Sequence, residues 1–250
     1  MRCFNFRGKG IYSKRGAQAT AFVILGLVIL GIVLLLGYTR SQFLFGPVTI
    51  DKLEQKGMVP IRDHILDCIE EVSPDYFRRL ALQGGYLSTP VDTFRKFQGD
   101  PVSYLCYNLE ESLACYNRYL TIGDMETQLE FAIKQGLSTC INLGGFARGA
   151  QLSAGDISVD VTIGDYESVV ELDFPIKIQK GDKFVEENKF TKTLDIPLGA
   201  LYGVVRDILD VESIFGEFEQ LSYMMARKGQ FFIEKKKPYP DKLYVIWTRD

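Results

Sequence analysis

Histidine is all but absent from this chain: His64 is the only one among 250 residues. Metal centres built from several imidazoles, and zinc-protease motifs with two histidines on one helix, therefore have no ligands here. Basic charge is short as well. Five of the 29 lysines and arginines (Arg2, Arg7, Lys9, Lys14 and Arg15) fall in the first 16 residues, so the remainder carries 24 against 32 acidic residues. Such a surface repels phosphate backbones, and no basic stripe offsets it, which excludes nucleic acid as a partner.

Other chemistry is missing too. Gly144-Gly145-Phe146-Ala147-Arg148-Gly149 lacks the lysine and the serine or threonine of a P-loop. Asp156, Asp160, Asp165 and Asp173 lack the alternating ligands and terminal glutamate of a calcium loop. Asp160, Glu171 and Asp173 alternate with apolar residues and read as the wet face of a sheet rather than an acid and base pair. His64 and Cys68 stand four apart, the spacing of a nucleophile and its base on one helix, but a boundary histidine beside a structural cysteine has the same spacing. No catalytic residue, metal ligand set or cofactor is assigned, and the chain reads as a non-enzyme.

What is present begins with an uncharged apolar run over 17–38, behind a basic head over 1–16 that contains no acidic residue. About 20 apolar residues at 1.5 Å rise span a hydrocarbon core of roughly 30 Å. The expectation is a single-pass membrane protein with a cytoplasmic N-terminus and an extracytoplasmic C-terminal domain. No small-x-small site follows the run near Tyr38 or Thr39, so it is not expected to be removed as a secretory signal.

The small residues instead precede the run, in Ser13-Lys14-Arg15-Gly16-Ala17-Gln18-Ala19-Thr20-Ala21-Phe22. This stretch resembles the signal of archaeal type IV pilin-like precursors, the class III signal. The resemblance implies that Lys14 and Arg15 are the basic pair, Gly16 or Ala17 the residue before the cut, and Gln18 the new N-terminus. A glutamate common in such pilins is replaced here by Phe22.

Gly46-Pro47 breaks any continuing helix, and residues 39–59 read as a linker to an outer domain. Its first part, 60–150, reads as a helical half. Ile61, Ile65, Cys68, Ile69 and Val72 fall at helical spacing. Ser73-Pro74 reads as the start of a second helix ending at Gly84-Gly85. A third helix after Asp124 shows Leu129, Ile133, Leu137 and Cys140 on one face. Leu82-Gln83-Gly84-Gly85-Tyr86, with the two Cys-Ile helices, is similar to an uncharacterised family of single-pass surface proteins from small-genome archaea. That resemblance implies architecture only.

Cysteine is sparse, at five residues. Cys68, Cys106, Cys115 and Cys140 are an even set beyond the run, and spacing alone leaves three connectivities open. Inward positions on neighbouring helices favour Cys68 with Cys140, and a hairpin between Ser103 and Tyr116 would join Cys106 to Cys115; buried free thiols and a short helix after Asn108 are the competing readings. Tyr86, Tyr104, Tyr107, Tyr116 and Tyr119 cluster around these cysteines, where they could pack or line a binding surface.

Over 151–250 the pattern changes to strands. Val159, Val161 and Ile163, then Val170, Leu172, Phe174, Ile176 and Ile178, alternate with polar residues, and Pro175 marks an edge or bulge. Pro197 opens a long apolar-striped stretch to about Lys228, expected to pack on that sheet, with Gly216 as a break point. Two strands around Lys235-Lys236-Lys237, read as a solvated turn, close the chain. The expected fold is α+β: a single N-terminal transmembrane helix, a helical half, and an antiparallel sheet packed on a long helix.

The expected function is association: a membrane-anchored surface protein in the lipid bilayer that binds other surface proteins or copies of itself, as a pilin-like subunit does. A ligand-binding or sensor domain with a tyrosine-lined pocket is the alternative, and a carboxylate- or Cys68-dependent hydrolase is a third reading.

Overall fold

The structure is a computed structural model that describes residues 26–32, 53–90, 93–107, 116–146, 149–238 and 240–249. The chain divides into two compact units, Met1–Val48 and Thr49–Asp250. In the first, residues 26–32 are helical, and Leu27, Val28, Ile29, Leu30 and Ile32 are each more than half exposed.

The expected transmembrane helix is corrected at this point. Among the described residues no helix is long and apolar enough to cross a membrane. Seven residues at 1.5 Å rise cover about 10 Å, a third of a hydrocarbon core. The single-pass architecture and the membrane localisation drawn from it are not supported. Lys14, Arg15, Gly16, Ala17 and Gln18, the expected processing site, lie outside the described residues, as do Cys3 and Cys115.

The second unit opens with a π-helical turn, Glu54–Met58, leading into helix α1, Val59–Leu82. Pro60 has no N–H and its ring crowds the preceding turn, so the chain winds wider just there. Pro74 lies inside α1 and does not start a new helix. The helix survives because tertiary packing outweighs one lost bond: Ile61, Ile65, Ile69 and Leu80 are fully buried, with Cys68 and Phe77 nearly so.

Strands β1 (Phe94–Phe97) and β2 (Asp100–Ser103) form a hairpin whose two loop residues, Gln98 and Gly99, both have positive φ, the geometry that matches strand twist. Cys106–Tyr107 (β3) pairs with Tyr116–Asn117 (β4). Helix α2, Ile122–Cys140, follows. Its N-cap is Thr121 rather than Asp124: the Asp124 N–H donates to Thr121 Oγ1 at 3.2 Å, and the Thr121 N–H donates back to Asp124 Oδ2 at 3.0 Å.

The main sheet contains β5 (Gln151–Ala154), β6 (Ser158–Ile163), β7 (Ser168–Lys180) and β8 (Lys183–Leu194), all antiparallel. β7 is central: β6 pairs with its first half and β5 with its second half, while β8 runs along its whole length. Pro175 sits where the β7–β8 register shifts, so Phe174 and Pro175 stand opposite the single Asn188. The bulge changes which β8 residues face inward, from Phe190, Lys192 and Leu194 on one side to Val185 and Glu187 on the other. Gly155 donates its N–H to the Pro175 carbonyl at 2.8 Å.

Helices α1 and α2 cover one face of this sheet, α2 over β6 and α1 over β8. Leu129, Ile133 and Leu137 of α2 are fully buried, as are Val170, Leu172 and Ile176 of β7. Arg62–Glu187 and Glu70–Lys192 tie α1 to β8.

Helix α3, Leu198–Phe215, ends at Gly216 (φ 71°), and a short helix α4, Gln220–Ala226, follows. β9 (Phe231–Lys236) and β10 (Leu243–Thr248) form the closing hairpin. The expected packing of the long helix on the main sheet is corrected here. The inner face of that sheet is already occupied by α1 and α2, and α3 packs on the hairpin instead. A separate core of Val204, Ile208, Phe218, Phe231 and Ile233 results.

Candidate functional site

The residues singled out from sequence fall into structural roles. Cys68 and Cys140 form a disulfide with Cα atoms 5.8 Å apart, which removes Cys68 as a nucleophile. Cys106 is disulfide-bonded as well. His64 accepts a weak bond from the Asn142 N–H at 3.4 Å and lies 5.3 Å from the Phe146 ring, beside that cross-link. Glu171 pairs with Lys189 on the outer face of the sheet, and no cluster of three metal-ligating side chains occurs among the described residues.

Tyr104 donates to Asp241 Oδ2 at 2.8 Å, and Arg95 pairs with the same carboxylate, fastening the β1–β2 hairpin to the loop before β10. Tyr86 donates to the Arg118 carbonyl, and Tyr119 meets Tyr202 edge to face. A concavity among the described residues is lined by Gly149, Ala150, Gln151, Gln179, Lys180 and Gly181, with no tyrosine in its lining.

Lys235 is not solvated. Its side chain is 4% exposed, and its Nζ reaches Glu212 Oε1 at 3.2 Å, Glu217 Oε1 at 2.6 Å and the Phe218 carbonyl at 3.3 Å. Tyr244 and the Phe218 N–H also donate to Glu212, and Lys242 donates to Glu212, Glu217 and the carbonyl of Gly216. Cations thus gather at the C-terminus of α3, where the helix dipole favours them. Burial pushes the Glu212 carboxyl upward, but hydrogen bonds from Lys242, Tyr244, Phe218 and Lys235 outweigh it and hold it low. Hydrogen bonds from Lys235, Lys237 and Lys242 lower Glu217 to about 2. Every charge here has its partner, so this network is a fastener with no free acid, base or nucleophile.

That fastener seats α4 and the hairpin against α3. Tyr223 donates to Asp207 at 2.6 Å, Arg227 pairs with the same carboxylate at 3.0 Å, and burial first, then Asp207, raises the Tyr223 hydroxyl to about 12. Met224 points inward, its Sδ accepting from the Ile233 N–H at 3.2 Å.

The opposite side of α4 carries exposed apolar residues. Leu221 and Met225, one turn apart, are 65% and 80% exposed. Beside them, Phe232 of β9 and Trp247 of β10 are direct cross-strand partners whose rings stack at 5.7 Å and 17°. A concavity of about 410 Å³ between helix and strand is lined by Leu221, Met224, Met225, Lys228, Gly229, Phe231 and Phe232. Lys228 has φ 52° and Gly229 φ 70°, and the Arg249 guanidinium lies over Gly229. Large apolar side chains exposed singly, such as Phe131 and Tyr166, are ordinary, whereas Leu221, Met225 and Phe232 are exposed beside one another.

Sequence reasoning placed the strands of this hairpin but missed the face. The available signal was Phe231-Phe232-Ile233: in a strand, adjacent residues point to opposite sides, so Phe232 had to lie away from the core that takes its neighbours.

Comparison with known proteins gives no match: no family model, curated protein or solved structure aligns significantly with the chain.

Proposed function

We propose that this chain is a protein-association module that engages its partner through the face formed by α4 and the β9–β10 hairpin. The observation that carries the reading is the exposure of Leu221, Met225 and Phe232 around one apolar groove, with the exposed Trp247 ring stacked on Phe232. Aromatic and methionine side chains are enriched at association surfaces, where a few well-packed residues carry most of the energy. The saturated charge network of Glu212, Glu217, Lys235 and Lys242 supports it by holding the face rigid, which lowers the ordering cost of binding. The mechanism is burial of apolar surface, with no bond made or broken.

The test pairs Met225→Asp with Phe131→Asp, the second altering an equally exposed apolar residue on α2, outside the face. The native size of the complex containing the full chain is measured in extracts of its own cells. The reading expects Met225→Asp to shift the chain to the size of a free protomer while Phe131→Asp leaves the complex intact. Equal behaviour of the two variants overturns it.

A further inference from the structure

We propose that the segment occupying this groove is an acidic amphipathic helix of a partner protein, its apolar side chains facing Leu221, Met225 and Phe232 and its carboxylates meeting Lys228 and Arg249. The inference rests on the reading of this face as the association surface.

Charge carries the choice of partner. Across α4 and the hairpin, Arg227, Lys235, Lys236, Lys237 and Lys242 each have a carboxylate partner. Lys228 and Arg249 have none among the described residues, and these two cations border the groove: Lys228 lines it, and Arg249 lies over the Gly229 that also lines it. Among the described residues no acidic side chain lines the concavity. Apolar walls bordered by these two cations fit a ligand that is apolar on one side and anionic on its flanks.

Shape carries the choice of a helix. The groove is shallow, with α4 on one side and β9 on the other, Phe231 and Met224 between them and the Lys228-Gly229 turn at one end. An amphipathic helix fills such a trough with anchors at one-turn spacing. A second copy of this chain fits less well, because two-fold pairing of like faces would bring the Lys228 and Arg249 of one copy against those of the other. Lys228 also holds a positive φ that glycine adopts freely and a side chain resists. Lys228→Gly therefore removes the charge without harming the turn.

The sole tryptophan of the chain, Trp247, stacks on Phe232, which lines the groove, and reports on its occupancy through that ring. The experiment titrates the full chain with a synthetic 16-residue helical peptide carrying leucine at one-turn spacing and glutamate on its flanks. A second peptide has lysine in place of each glutamate. The inference expects a saturable blue shift of Trp247 emission with the acidic peptide. It also expects roughly tenfold weaker binding for the basic peptide and for the combined Lys228→Gly and Arg249→Gln variant, with an unchanged melting temperature. Equal binding of the two peptides overturns the acidic specificity.

A blue shift that grows with protein concentration alone assigns the groove to a second copy, overturning the inference while leaving the association reading in place. Failure of the acidic peptide while the complex still depends on Met225 has the same meaning. Failure of the peptide together with indifference of the complex to Met225 overturns both.

Discussion

Gly136 of α2 lies against Val72 of α1 so closely that a Cβ at position 136 would come within 2.5 Å of Val72 Cγ1 and 3.1 Å of the Tyr76 ring. Glycine here is a packing requirement, since it is what lets the two helices approach one turn away from the Cys68–Cys140 bridge. Gly136→Ala gains in helix propensity but overpacks the junction, and the net effect is a loss of about 1–2 kcal/mol. Urea denaturation followed by circular dichroism checks this. Unchanged or raised stability would mean that Val72 moves aside freely.

The bridge itself joins positions 72 residues apart. Closing a loop of that length restricts the unfolded chain, and the entropic model assigns about 4 kcal/mol to it. Cys140→Ser is therefore expected to cost a large share of the unit's stability. A loss below about 1 kcal/mol in the same denaturation measurement would show that the packing of α1 on α2 suffices without the cross-link.

β6 lies at an edge of the main sheet, and α2 protects it. Glu126 accepts from the Ile163 N–H at 2.8 Å, and Glu130 accepts from the Val161 N–H at 3.3 Å. Such capping satisfies strand donors that would otherwise be open to another chain. Glu126→Ala is expected to cost about 1–2 kcal/mol and to speed hydrogen exchange at Ile163 more than at Val161. Equal acceleration at both amides would contradict a residue-specific cap.

Glu217 sets a pH dependence. Hydrogen bonds from Lys235, Lys237 and Lys242 hold its folded-state value at about 2, well below the ordinary glutamate value of 4.5. A depressed carboxylate contributes stability that is fully present above about pH 4.5 and is lost as pH falls toward 2. Acid titration of the wild-type chain should therefore lose hairpin structure over that window, with Glu217→Gln flattening the slope. An unaltered slope in the variant would show that the lysines do not favour the charged form.

Much of the second unit was legible in sequence because its periodicities are strong. Val159, Val161 and Ile163 alternate cleanly, and Leu129, Ile133 and Leu137 mark one helix face; both patterns are buried as written. Ser73-Pro74 reads as a helix start because proline favours the first turn, yet the burial of Ile69, Phe77 and Leu80 on either side carries α1 through it. Lys235 read as solvated because three lysines in a row resemble a turn, and only folding brings Glu212 and Glu217 to it.

The choice of partner for α3 was equally invisible, since an amphipathic stripe says that a helix packs and not on what. The membrane reading rested on counting apolar residues over 17–38, where only the helical 26–32 are described. Alternation puts Phe232 away from the core, but only the strand register brings Trp247 opposite it and stacks the two rings into one face.

The association face is tested most directly by a photo-crosslinking residue placed at position 225 of the full chain in its own cells, with position 131 on α2 as the comparison. The account expects discrete protein adducts from 225 that disappear when Phe232→Asp is added, and none of those adducts from 131. Adducts common to both positions, or a pattern at 225 indifferent to Phe232→Asp, would contradict it.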